Sequence, residues 1–243
     1  MRDTWLYLGT AGMVAGAGAI VATGRSAGRE HQHHVLTSMW VCLLAATSYL
    51  AMSQGLGIVE VGGREVYFAR YLDWVITTPL LLLGLITLAL PSITSHGQSR
   101  DRTALVASIL GADVLMVVTG LVGVLASDKG ARYLFFAVGC LFFAGVVYAL
   151  WVPLYTAAKQ AGNRDAYRRL TSILTGLWCI YPVFWLLGTE GSGTLGLTTE
   201  VGLYAIVDVT AKVGFGLLLV SAVRTFRHAP AGESAPRPAA VAA

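Results

Sequence analysis

Apolar residues fall in seven runs separated by polar or Gly/Pro-rich breaks. The runs are Trp5–Thr23, Val35–Ser53, Phe68–Leu90, Thr103–Ala126, Arg132–Pro153, Leu170–Gly188 and Val201–Val223. Each is close to the ~20 mainly apolar residues that a helix needs to cross a bilayer. The pattern predicts an all-α membrane protein, a bundle of seven transmembrane helices over residues 1–228. Residues 229–243 are Ala/Pro-rich and predict a disordered tail. The chain has no internal repeat.

Composition agrees. Of 243 residues, 56% are hydrophobic and 12% charged, against about 25% charged in an ordinary soluble domain. A net charge of +4 would suit a nucleic-acid binder, but the charges cluster in the inter-helix loops and the tail. The expected partner is therefore a lipid bilayer and not a nucleic acid. Seven spans put the two termini on opposite sides. With the N-terminus outside, eleven Lys/Arg residues fall on the inner loops and tail, among them Arg100, Lys159, Arg168 and Arg224. Four remain outside: Arg2, Arg64, Lys129 and Arg132. The positive-inside rule then predicts N-terminus outside, C-terminus cytoplasmic, in a multi-pass protein of the cell membrane. The first run is longer than a signal-peptide core, and Asp3 interrupts a basic start, so a retained first helix is expected. Gly12 and Gly16 form a small-xxx-small pair suited to close helix packing. Cys42, Cys140 and Cys179 lie in apolar runs without metal-like spacing, so they read as packing residues and no metal site is expected.

Three spans carry ionisable residues at depth. The third has Arg70 and Asp73, the fourth Asp113, and the seventh Asp208 and Lys212. An ammonium such as that of Lys212 costs about 2.5–3.5 kcal/mol at mid-membrane on insertion scales. Arg70, Asp73 and Thr77 share one helical face, and Asp208 and Lys212 are one turn apart. If the third and seventh helices meet, two cations and two carboxylates balance, which is how buried charge becomes tolerable. Charge balance alone leaves three readings open: a structural ion cluster, a transporter's substrate site, or a lysine that forms an imine with an aldehyde. Trp178, Tyr181 and Trp185 line one face of the sixth span, and Trp74 and Leu81 lie seven apart on the third. Flat rings beside a buried lysine suit an elongated conjugated aldehyde.

These residues resemble a known family. Arg70-Tyr71-Leu72-Asp73-Trp74-Val75-Ile76-Thr77-Thr78-Pro79-Leu80-Leu81 looks like the third helix of microbial (type I) rhodopsins. Asp208-Val209-Thr210-Ala211-Lys212 resembles their retinal-binding lysine motif; Val207 stands where the family more often has leucine. Trp178, Tyr181, Pro182 and Trp185 resemble the sixth-helix pocket, and Gly111-Ala112-Asp113, Met116 and Gly120 the fourth helix. The resemblance covers residues 49–224 and is closest to bacteriorhodopsin-like proton pumps.

The resemblance implies a transporter and not an enzyme: a light-driven outward proton pump with all-trans-retinal bound to Lys212 as a protonated Schiff base. Asp73 would be counter-ion and primary proton acceptor, with Thr77 bonded to its carboxylate, and Asp208 the second counter-ion. Arg70 would swing outward once Asp73 is neutral, and Glu190 and Glu200 would form the release pair, although solvated loop carboxylates are the ordinary alternative. Trp74, Thr78, Leu81, Asp113, Met116, Gly120, Trp178, Tyr181 and Trp185 would bound the retinal, with Asp113 in the pocket and off the proton path. Leu81 resembles the residue of green-absorbing pumps. Phe136 stands where carotenoid-binding relatives carry glycine, so no carotenoid is expected. A homo-oligomer is expected too.

One position departs from the pattern. Pumps of this kind commonly place a carboxylic acid three turns inward of Asp73, where this chain has Gly84. Water in the vacated space, or His33 and His34 at the inner end of the second span, could feed protons inward. A solvated histidine cluster is the ordinary reading of the pair. The missing acid also keeps open a sensory rhodopsin that signals through a membrane transducer, although Ala211 before the lysine resembles the pumps. Chloride and sodium pumps of similar sequence differ at the Asp73 or Thr77 positions.

Overall fold

In the computed structural model, residues 1–90 and 100–225 are described. The tail from residue 229 on lies outside them. Among the described residues, seven helices are long and apolar enough to cross a membrane: α1 Arg2–Gly24, α2 Gln32–Ser53, α3 Phe68–Ala89, α4 Arg100–Leu125, α5 Lys129–Gln160, α6 Arg164–Leu187 and α7 Leu197–Arg224. They form one bundle in which α3 and α7 are the most enclosed, each half buried over its most apolar stretch. Those are the two helices that carry the buried charge.

The element between α2 and α3 was not anticipated. β1 (Val59–Val61) and β2 (Arg64–Val66) form an antiparallel hairpin, with Val61 opposite Arg64. Gly62 and Gly63 turn it with φ of 57° and 75°, the two consecutive positive angles that a tight two-residue turn requires. At three residues per strand the pattern is too short to show as alternation.

Helix ends also differ from the apolar runs. α5 continues past Pro153 to Gln160 because a wide π turn, Leu150–Leu154, absorbs the proline. α6 begins at Arg164, six residues before its apolar run, with a charged turn that carries one buried ring, Tyr167. It is interrupted at Cys179, where Pro182 cannot donate to the carbonyl four residues back. α7 carries a second π turn, Thr210–Gly214, with Lys212 at its centre.

Gly12 and Gly16 face α7, as the small-residue spacing predicts. A Cβ on Gly12 would lie 3.2 Å from Val209, and one on Gly16 would overlap Val213. The backbone of α1 thus approaches the turn that presents Lys212. At the end opposite the hairpin, an apolar cluster from α3, α5, α6 and α7 includes Leu82, Leu85, Leu154, Tyr167, Leu170 and Phe215.

Candidate functional site

Lys212 is 2% exposed. Its Nζ lies 2.7 Å from Asp73 Oδ2 and 3.2 Å from Asp208 Oδ1. The third and seventh helices therefore do meet at their ionisable residues. Asp208 is held from three sides: Tyr49 donates to Oδ2 at 2.8 Å, while Tyr181 and Trp74 donate to Oδ1 at 2.6 Å and 3.3 Å. Asp73 is held differently. Its Oδ2 takes the lysine, and its buried Oδ1 has no hydrogen-bond partner among the described residues. The Thr77 hydroxyl donates to the main-chain carbonyl of Asp73 at 2.9 Å. A hydroxyl one turn along a helix reaches the i−4 carbonyl first, and from there it still lies beside the Asp73 carboxylate that it was expected to bond.

Arg70 lies on the same face of α3 but reaches away from Lys212. Its Nη1 is 3.6 Å from Glu200 Oε1, and its guanidinium stacks 3.9 Å over the Tyr204 ring. The buried set is thus not the balanced four but six groups in two layers, two cations against four carboxyl groups: Lys212 with Asp73 and Asp208, and Arg70 with Glu190 and Glu200. Both glutamates are 2% exposed, so the reading as solvated loop carboxylates is wrong. Glu200 accepts from the backbone N–H of Thr189 at 2.7 Å and from its hydroxyl at 2.9 Å. Glu190 accepts from the Tyr71 hydroxyl at 3.1 Å. Burial pushes the Glu190 carboxyl up to about 7, with Arg70 opposing and Glu200 adding to the rise.

Beside Lys212 lies a cavity of about 130 Å³ with strongly apolar walls. Trp74, Thr78, Leu81, Met116, Gly120, Trp178, Tyr181 and Trp185 all line it, together with Phe136. Phe136 and Trp185 stack at 4.1 Å, closing one side. Asp113 is fully buried but stands behind the wall, where the Thr78 hydroxyl donates to it at 2.8 Å. Tyr71, Cys140, Phe143 and Tyr204 also line the cavity. Sequence gave no reason to choose them, since aromatic and sulfur side chains inside a span are ordinary packing. Tyr49 was missed for the same reason.

A second cavity, of about 140 Å³, lies toward the end opposite the hairpin. His33, His34, Thr37, Ser38, Gly84, Thr87 and Leu219 bound it, and Leu81 lines both cavities. A Cβ on Gly84 would come within 2.6 Å of Leu219 Cδ2, so Leu219 packs onto the bare backbone there, and the place of the missing side chain is filled by leucine and not by open space. The two imidazole rings are 4.0 Å apart, and His34 is only 4% exposed. A solvated cluster describes His33 but not His34.

An extended apolar cavity that ends at a buried amine between two carboxylates suits an elongated aldehyde whose nitrogen end carries positive charge. The comparisons agree with that fit. The profile of the family described as bacteriorhodopsin-like protein matches residues 1–226. Bacteriorhodopsin-II of Haloarcula marismortui is 40% identical over 98% of this chain and 93% of its own. Archaerhodopsin-2 of a Halobacterium species is 37% identical over 97% and 89%. The crystal structure of thermophilic rhodopsin from Rubrobacter xylanophilus superposes with a TM-score of 0.85 at 37% identity, covering 91% of this chain and 96% of that one. The light-driven proton pump Coccomyxa subellipsoidea rhodopsin gives 0.81 at 30% identity, covering 90% and 96%. The buried lysine, its two aspartates and the aromatic cavity thus sit in a chain that belongs to the bacteriorhodopsin-like family, the microbial type I rhodopsins.

Proposed function

We propose that this protein is a light-driven outward proton pump of the cell membrane, with its N-terminus outside and its C-terminus in the cytoplasm. The single observation that carries the reading is the 2.7 Å pair of Lys212 Nζ and Asp73 Oδ2 at the end of the apolar cavity. All-trans-retinal, joined to Lys212 as a protonated Schiff base, would supply the light-driven change of shape and of proton affinity at that nitrogen.

The residues of the chain do the rest. Trp178, Trp185 and Phe136 confine a flat chain between their rings and exclude water. Asp73 Oδ2 is placed to take the proton from the Lys212 nitrogen, and its partnerless Oδ1 leaves it the less firmly held of the two carboxylates. Asp208, bonded by Tyr49, Tyr181 and Trp74, is the more firmly held counter-charge. Neutralising Asp73 removes a negative charge near Arg70, which then binds Glu200 more strongly and favours proton loss from the Glu190/Glu200 layer. That layer lies toward the hairpin end, which is the outer end in this orientation.

Uptake runs from the other side. The histidine-lined cavity takes the place of a carboxylic donor at Gly84. We assign His34, with water in that space, to return the proton through the Leu81 partition. Imidazole suits the task because its two ring nitrogens can accept a proton on one side and donate on the other.

Illuminated cells in weakly buffered medium should acidify it, and a protonophore should abolish the effect; alkalinisation or no change would refute the pump. Gly84→Asp should speed the return of the proton to Lys212, while His34→Phe should slow it. The lack of an acid at Gly84 also favours a second reading, a photosensor working through a membrane transducer. A partner that co-purifies, together with no pH change in light, would establish that instead.

A further inference from the structure

We propose that the hairpin end of the bundle binds a small monovalent anion, such as chloride, between Arg64 and Arg132, and that its occupancy tunes proton release from the Glu190/Glu200 layer. The binding stands by itself, and the coupling rests on the pump reading. Three cations that the light-driven step does not use gather beside the α4–α5 turn. Arg64 of β2 donates through Nη2 to the carbonyls of Val124 and Ala126 at 3.4 Å and 3.2 Å, so its guanidinium sits on the end of α4. Arg132, in the first turn of α5, meets the same end of α4: a Cβ on Gly123 would lie 3.3 Å from its carbonyl. Lys129 Nζ and Arg132 Cζ both lie over the Tyr133 ring, 5.9 Å and 6.0 Å from its centroid. Burial lowers the proton affinity of Arg64 and the charge of Arg132 lowers it further, so the two guanidiniums repel each other.

Like charges held together need a common partner. Arg132 is 7% exposed, and its Nε and Nη1 of Arg64 are buried with no hydrogen-bond partner among the described residues. The nearby acids are engaged elsewhere. Glu190 attracts Arg64 at longer range but accepts from Tyr71, and Asp128 caps α5 by accepting from the Ala131 N–H at 2.7 Å. A buried charged N–H without an acceptor is costly, and one anion accepting from both guanidiniums removes that cost and their repulsion together. The N-terminal end of α5 adds to the positive potential. The hairpin tip packs close to the turn, since a Cβ on Gly62 would lie 3.7 Å from the Ser127 carbonyl, which favours a halide over a bulky headgroup phosphate. Arg70, Arg64, Glu200, Tyr71 and Tyr204 face Glu190. An anion on Arg64 offsets one of the two cations that favour its ionised form, so Glu190 then keeps its proton to higher pH. By linkage, an ionised Glu190 weakens the anion in return.

The test uses the full chain in detergent, with chloride replacing gluconate at constant ionic strength. Before retinal is added, the melting temperature should rise saturably with chloride, by about 3–6 °C at ten times the half-saturating concentration. Arg64→Gln and Arg132→Gln should each flatten that rise, and either suffices if the other does not fold. With retinal bound, the pH midpoint of dye-detected proton release should move up in chloride by roughly half a unit or more, and should not move in the variants. A parent protein whose melting ignores chloride overturns the site, as does an equal rise in the variants. A rise with inorganic phosphate or phosphatidylglycerol vesicles but not with chloride overturns it in favour of a phosphate site. Chloride-dependent melting with an unmoved release midpoint overturns the coupling. Chloride-dependent melting in a protein that does not acidify its medium in light retires the pump and leaves the anion site standing.

Discussion

At the residue scale, two aspartates around one lysine do different work because their other partners differ. Asp208 has three donors besides Lys212, and Asp73 has the lysine alone. A carboxylate with few donors gives up least when it is protonated. Asp73→Asn should therefore slow the first proton transfer by ~100-fold or more, read by time-resolved absorption, while Asp208→Asn should mainly impair assembly of the pigment. Glu190 adds a pH dependence. Its carboxyl is raised to about 7 from an ordinary 4.5, so the folded protein binds more protons than the unfolded chain between those values. Its contribution to stability is full below about pH 4.5 and is lost as pH rises through about 7. The melting temperature should fall over that range, and the fall should be smaller in Glu190→Gln. A pH-indicator dye should likewise show flash-released protons declining as pH rises through 7, where the group is already empty.

At the element scale, the spans were legible in sequence because a bilayer demands an unbroken apolar run. Lys212 and Asp73 were legible as costs that need a partner. The π turns of α5 and α7 were not, because a shift in backbone hydrogen-bond register leaves the apolar pattern unchanged. Tyr49 and Tyr204 stayed hidden as well, since only the fold shows which of ten tyrosines point at charge. Burial of Glu190 and Glu200 could not be read from a polar loop either. The α1–α7 contact is a case where spacing sufficed. Gly16 meets Val213 within the turn that carries Lys212, so Gly16→Val should overpack it at a cost of about 1–3 kcal/mol. The measurement is thermal unfolding in detergent, and the absorption maximum should move as the lysine is displaced.

At the scale of the whole molecule, the two ends of the bundle are chemically unlike. The hairpin end holds the buried layer of Arg70, Glu190 and Glu200 beneath a short loop. The other end holds the histidine cavity and the apolar cluster around Leu82, Leu85 and Leu154. Direction of transport follows from which end faces out. Cysteines placed at exposed Gly193 and exposed Lys159 should be labelled from opposite sides of intact cells by a membrane-impermeant thiol reagent, Gly193→Cys from outside.

The wall between the two cavities has a consequence of its own. Leu81 lines both, so one side chain is shared by the proposed chromophore site and the proposed uptake cavity. A polar substitution there would change the field felt by the chromophore and, by the same atoms, give protons a stepping stone across. On the pump reading, colour and recharging speed are therefore linked at this position, and a change made for one should move the other.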